Sequence, residues 1–317
     1  MGKLTFNGLQ QQLMALYQAK YYTEAFELVE REQINFPDRT HDTAYWRVCM
    51  HALLGKQTEA LQLLQQTLAS GDWFAPDMLM HDSDLVSLQS LPEFRAMLEV
   101  CRQRLAASRR DVRSELLVRQ PATPVDKLPL LMVFHGNNGN ARATVEHWEG
   151  VTAQGWLLAL PQSSQIVGPG AFVWDKREMG TGEAREHLTA LSGKHALDPE
   201  RVVLGGFSMG GGQAVWMALH QSIKASGFVV LGPYLTAAEL EALPALLTNQ
   251  RPAGLRGSII VGEEDSECLE VSRKVVAIMR EHNLPCELEI LPNMHHSYPA
   301  GFVKYVSKGL AFIAGAS

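Results

Sequence analysis

Val202-Val203-Leu204-Gly205-Gly206-Phe207-Ser208-Met209-Gly210-Gly211-Gly212 decides how this chain is read. An apolar run leads into Gly-x-Ser-x-Gly, and a helix-forming segment, residues 213–220, follows. That order suits a nucleophile elbow, in which a sharp strand-to-helix turn pushes a serine hydroxyl out above a sheet. The turn strains the backbone and brings strand and helix close. The residues two before and two after the serine must therefore be small, and they are Gly206 and Gly210. The helix that follows points its free N–H groups toward the place where an oxyanion would form. A glycine-rich turn around an ordinary serine has the same residues, so the reading rests on partners elsewhere in the chain.

Outward from the elbow, strands and helices alternate. Leu130-Leu131-Met132-Val133-Phe134 is a continuous apolar run, as a buried parallel strand requires. Further strands are expected at 155–160, 201–204, 227–231, 257–261 and 286–291. Helices are expected at 141–153, 183–195, 239–247, 271–283 and 299–314, with Asp198-Pro199-Glu200 as a turn. Six or seven β-then-α units predict an α/β fold with a doubly wound, mostly parallel sheet. Ligands then bind at the carboxyl ends of the strands.

Residues 1 to about 108 read differently. Prolines are sparse and apolar residues recur at helical spacing: Leu9, Leu13, Leu16 and Tyr17, then Ala25, Phe26 and Val29. A second pair of helices, 44–54 and 58–68, superposes on the first at an offset of 35, so that Ala25 falls on Ala60 and Val29 on Leu64. With Gly55 at a turn and Pro37 closing the first unit, this resembles the tetratricopeptide repeat, a helix–turn–helix unit of about 34 residues. The resemblance is partial. Two units are fewer than a free-standing solenoid needs, and a third helical stretch, 84–105, is expected to cap them after a loop at 70–76. Such a region could bind a protein partner, mediate self-association, or pack on a catalytic domain. His41-Asp42 and His81-Asp82 read as solvated turn residues rather than metal ligands. Residues 112–118 alternate like a half-exposed strand, and Pro121, Pro124 and Pro129 mark loops. The expected domains are 1–108, helical, and 109–317, α/β.

Composition narrows the partners. The chain has 317 residues, 46% of them hydrophobic, with a formal net charge of -6. That supplies a sizeable core and disfavours nucleic acid. Residues 1–12 lack the apolar segment of a signal peptide, and no run of about 18 apolar residues predicts a membrane span. The four cysteines, Cys49, Cys101, Cys268 and Cys286, are widely spaced and read as reduced thiols of a cytoplasmic protein.

A serine hydroxyl attacks only when a base takes its proton and a carboxylate orients that base. Acid candidates follow the strand ending at Val261: Glu263, Glu264 and Asp265. Base candidates follow the last strand: His295 and His296. The chain order, serine then acid then histidine, is the one an elbow serine needs.

Residues from about 125 to 317 resemble a cytosolic α/β-hydrolase esterase of the carboxylesterase, phospholipase and acyl-thioesterase group. Four motifs carry the resemblance: His135-Gly136-Asn137-Asn138-Gly139, Gly206-Phe207-Ser208-Met209-Gly210, Gly262-Glu263-Glu264-Asp265 and His296-Ser297-Tyr298-Pro299. In that group the acid is the third residue after the glycine, which implies Asp265. The base precedes a small residue, an aromatic and a proline, which implies His296. The implied oxyanion donors are the N–H groups of Met209 and Asn137. His135 is expected to brace the donor loop. The long Gly/Pro-punctuated segment 162–175 reads as an active-site loop, in which Phe172 and Trp174 either wall a substrate pocket or anchor the loop; Tyr234 is a further pocket candidate. The implied chemistry is cleavage of an ester or thioester of a small molecule through an acyl-enzyme, with no cofactor and no metal. The competing expectations are a partner-binding scaffold built on the helical third, and a peptidase with the same triad.

Overall fold

The computed structural model describes residues 4–121, 123, 126–249 and 252–315. Pro124, expected in a loop, lies outside them. The described chain divides into two compact units: everything up to Val112 together with Ile166–Gly170, and the remainder.

The first unit is built on helices α1 (Phe6–Gln18), α2 (Tyr22–Glu32), α3 (Thr40–Leu53), α4 (Gln57–Ala69), α5 (Pro76–His81), α6 (Val86–Gln89) and α7 (Pro92–Asp111). The internal repeat extends to the turns. Lys20 and Gly55 both have left-handed backbone, at φ 61° and 73°. Behind them Tyr21 N–H donates to Leu16 O and Lys56 N–H to His51 O, each at 2.9 Å. Ala25, Ala60, Val29 and Leu64 are all fully buried, so the superposed positions do the same packing work in both hairpins.

Three expectations in this unit need correction. The stretch 84–105 is two helices, because Ser90-Leu91 interrupt it and Pro92, with its preset φ, opens α7. Nothing in 93–111 breaks a helix, so α7 runs past 108 to Asp111. His41 and Asp42 are not in a turn: a 3-10 segment, Pro37–Arg39, feeds directly into α3 and carries both into its first turn. There burial lowers the His41 pKa and pushes the Asp42 carboxyl up to about 6. Asp82 is also half-buried, accepting from Tyr45 Oη at 2.5 Å and from Cys49 Sγ at 3.9 Å, whereas His81 is exposed.

The second unit contains β1 (Glu115–Arg119), β2 (Leu128–Phe134), α8 (Ala141–Trp148) and β3 (Leu157–Gln162). After β4 (Ile166–Gly168), which belongs to the first unit, it continues with β5 (Ala171–Phe172), α9 (Arg177–Ser192), β6 (Leu197–Phe207) and α10 (Met209–Leu219). It closes with β7 (Gly227–Leu231), α11 (Ala237–Asn249), β8 (Arg256–Gly262), α12 (Ser266–Glu281), β9 (Cys286–Leu291) and α13 (Phe302–Ile313). The seven-stranded sheet has the order β1-β3-β2-β6-β7-β8-β9. Every pairing is parallel except β1 with β3.

The continuous apolar strands follow from this layering. In β2, Leu130, Met132 and Phe134 face one core, shared with Leu191, Ala214 and Val275. Leu131 and Val133 face the other, shared with Trp148, Phe302 and Val306. Both faces are covered by helices, so no position can be polar. The turn expected at 198–200 instead lies within β6. There the register jumps from Leu197 opposite Leu128 to Val202 opposite Leu130, leaving 198–201 looped out with Pro199 among them.

Candidate active site

Ser208 sits between β6 and α10 with φ 56° and ψ -124°, the strained backbone of a sharp strand-to-helix turn. Its neighbours explain the two elbow glycines. A side chain on Gly206 would strike the Gly210 backbone 2.5 Å away, and one on Gly210 would strike the Phe134 and His135 carbonyls. The turn is pinned by Ser208 N–H to Leu231 O (2.9 Å), and by Gly212 N–H (2.9 Å) and Tyr234 N–H (3.0 Å) to Ser208 O.

The loops after β8 and β9 are tied together. Glu263 N–H donates to Leu291 O (2.9 Å) and Glu264 N–H to Met294 O (3.0 Å), and a side chain on Gly262 would collide with Met294 O. This knot brings Asp265 to His296: His296 Nδ1 lies 2.6 Å from Asp265 Oδ2. The Asp265 side chain is 9% exposed and the imidazole 37%. Glu263 and Glu264 point to solvent. His295 Nδ1 has no partner among the described residues, and it is His296 that meets the carboxylate. Phe207 stacks on the His296 ring, and the backbone of Gly232 passes both His296 and Asp265, which ties the pair to the serine's own strand and to the end of β7. Cys268, in the first turn of α12, places Sγ 3.6 Å from His296 Nδ1. Burial and the nearby Asp265 carboxylate push its thiol pKa up, so it is a poor nucleophile.

The loop after β2 folds tightly on itself, with Gly139 N–H donating to Gly136 O at 3.0 Å. His135 is fully buried beneath it. Its Nδ1 is 2.9 Å from Gly136 O, and its Nε2 accepts from Gln162 Nε2 (3.3 Å) and Ser163 N–H (3.4 Å). Burial lowers its pKa to about 4, so it is a neutral brace. Asn137 is exposed at the loop tip, and Met209 is the first residue of α10. Neither N–H has an acceptor among the described residues. No described helix is long and apolar enough to cross a membrane.

Residues 158–316 match a family described as alpha/beta hydrolase fold. The chain belongs to the alpha/beta hydrolase fold family. Its residues 5–109 match a second description, A/B hydrolase-like, N-terminal domain. No curated protein matches the chain. Among solved structures it is similar to an uncharacterised protein from Bacillus cereus ATCC 10987, at 26% identity and a TM-score of 0.56, with 99% of this chain and 100% of that one covered. It is also similar to esterase PE8 (16% identity, TM-score 0.54, 65% and 100% covered). The ferulic acid complex of Est1E from Butyrivibrio proteoclasticus is another (14%, 0.51, 65% and 96%). With these last two the likeness is one of fold.

Within this hydrolase fold, Trp174 takes the anchoring role of the two open to it. It is fully buried, donates Nε1–H to His135 O at 3.0 Å, and meets the Phe134 ring edge-on. It also accounts for a glycine inside α9, which begins at Arg177 rather than near 183. Gly180 and Gly182 look like helix breakers, yet a side chain on Gly180 would strike the Trp174 ring at 2.7 Å. Phe172 remains half-exposed, its N–H donating to Gly139 O at 3.0 Å, beside the oxyanion-loop candidate. Tyr234 contributes its backbone to the elbow. No motif pointed to Arg177, whose partners beside the elbow are two backbone carbonyls and Glu239.

Proposed function

We propose that the hydrolase-fold unit is a serine hydrolase that cleaves a carboxylic ester or thioester of a small molecule through an acyl-enzyme. The observation that carries this reading is the 2.6 Å contact between His296 Nδ1 and Asp265 Oδ2, with the imidazole stacked on Phe207, the residue before a serine held at φ 56°. Ser208 Oγ attacks the carbonyl carbon while His296 takes its proton. Asp265 fixes the imidazole with Nδ1 protonated, leaving Nε2 as the base. The N–H groups of Met209 and Asn137 receive the developing oxyanion, each worth a factor of roughly 100–1000 in rate. His296 then returns the proton to the leaving alcohol or thiol, and water releases the acid by the same route in reverse. Phe172, half-exposed with its N–H on Gly139 O, is the side chain assigned in this reading to contact substrate.

The helical unit supports the same reading rather than a free-standing scaffold. Its match is to an N-terminal domain described as hydrolase-like, and the Bacillus cereus structure is covered along its whole length. Four unbridged, buried cysteines fit a reducing compartment such as the cytoplasm.

The test is Ser208→Ala. The wild-type protein should hydrolyse short p-nitrophenyl esters and take a fluorophosphonate label, and the variant should do neither. Turnover or labelling that survives in the variant removes Ser208 as the nucleophile.

A further inference from the structure

Arg177 opens α9, and its guanidinium is 10% exposed against a Glu239 carboxylate that is 16% exposed. Nε is 2.8 Å from Glu239 Oε1. The two remaining nitrogens serve the elbow: Nη1 donates to Met209 O and Nη2 to Tyr234 O, each at 3.0 Å. Glu239 is itself fixed. It accepts from Thr236 N–H (2.7 Å) and Thr236 Oγ1 (3.0 Å), and its own N–H donates to Thr236 Oγ1 (3.3 Å), a capping box at the start of α11. Pairing with Arg177 and the Thr236 bonds hold its pKa low, despite the opposing effect of burial.

The arrangement bears on one N–H. The amide between Ser208 and Met209 carries the Met209 N–H at one end and Ser208 O at the other. Ser208 O is held by Gly212 N–H and by Tyr234 N–H, and Tyr234 O is held by Arg177. The next carbonyl along, Met209 O, is held by Arg177 directly. Because a peptide unit is planar, fixing Ser208 O fixes the direction of the Met209 N–H; Arg177 brackets that unit, holding the next unit along at Met209 O and holding Tyr234, whose N–H bonds Ser208 O. The third glycine after Ser208 follows from the same packing. A side chain on Gly212 would collide with Tyr234 O and come within 2.9 Å of Arg177 Nη2.

We infer that Arg177, locked by Glu239, is a positioning residue for the oxyanion: it aims the Met209 N–H at the charge that develops in the transition state and touches no substrate itself. This rests on the serine-hydrolase reading above. An aimed donor stabilises the transition state more than the bound substrate, so its loss lowers kcat and spares KM.

The experiment compares wild type, Arg177→Gln and Glu239→Gln on a p-nitrophenyl ester and against a trifluoromethyl ketone. The ketone is attacked by Ser208 Oγ; the serine proton passes to His296, and the carbonyl oxygen becomes a stable oxyanion. Arg177→Gln should lower kcat about 10- to 100-fold, leave KM within about threefold, and raise the ketone Ki by the factor lost from kcat. Glu239→Gln, which keeps shape and loses charge, should shift kcat and Ki in the same direction by less. If Arg177→Gln does not fold, Glu239→Gln decides alone. A folded variant with kcat and Ki unchanged, or one in which KM and Ki rise together, overturns the inference. Turnover that survives Ser208→Ala overturns the serine-hydrolase reading, and this inference with it, whatever Arg177 does.

Discussion

The Phe207 ring lies on the His296 imidazole, with centroids 4.6 Å and planes 27° apart, so the residue before the serine supports the proposed base. Phe207 in turn leans on Tyr298 at 4.7 Å, and Tyr298 stacks on His147 at 3.7 Å. The Asp265 contact fixes one imidazole nitrogen, and this aromatic column fixes the ring plane. Phe207→Leu should lower kcat/KM about tenfold through loosened geometry, with a stability loss of about 1–2 kcal/mol. Steady-state kinetics and urea unfolding measure the two. An unchanged kcat/KM would mean that Asp265 suffices to orient the ring.

Asp265→Asn should be far more damaging than any change at its acidic neighbours. Losing the carboxylate frees the imidazole to take the wrong tautomer, and in serine–histidine–aspartate triads this costs about 10⁴ in kcat. Glu263→Gln and Glu264→Gln, both at exposed positions, should stay within about twofold of wild type. Ester hydrolysis by the three variants side by side tests the assignment of the acid.

Stability should fall as pH drops from about 6.5 toward 4, in part because of His135. In the native state burial holds its pKa near 4, while in the unfolded chain it returns to about 6.5. Between those values the unfolded state binds a proton that the native state refuses, so lowering pH favours unfolding. The full effect is on the order of 3 kcal/mol and is absent above pH 6.5. Urea unfolding at pH 7 and pH 5 should show a smaller drop for His135→Asn than for wild type. An equal drop would assign the acid sensitivity to carboxylates alone.

Trp174→Ala should destabilise the fold by about 3–5 kcal/mol and release the loop over His135, because a fully buried indole leaves a large cavity. Trp174→Phe fills most of the space but leaves His135 O without its donor, so about 1–2 kcal/mol should still be lost. Thermal unfolding of both variants separates packing from the hydrogen bond. A Trp174→Phe protein as stable as wild type would show that the indole N–H contributes nothing.

The sequence made the sheet legible because strands covered on both faces have to be apolar throughout, as β2 and β7 are. The helical repeat was legible because equivalent residues, such as Ala25 and Ala60, are buried in equivalent ways. The start of α9 was not, since Gly180 answers to the Trp174 ring rather than to local propensity. Nor was the interruption before Pro92, where residues on both sides keep apolar periodicity. The pairing of Asp265 with His296 was readable from motifs, whereas the place of Arg177 was not: its contacts to Met209 and Tyr234 are to carbonyls, which every residue carries.

The backbone at Ser208 has a consequence for how such a protein would age in evolution. At φ 56° and ψ -124° glycine is comfortable and serine is not, by about 1–3 kcal/mol. Ser208→Gly should therefore yield an inert protein that melts at a higher temperature than its parent. Drift toward thermal robustness alone would erase the serine early. The hydroxyl at this turn is thus carried against the thermal interest of the fold.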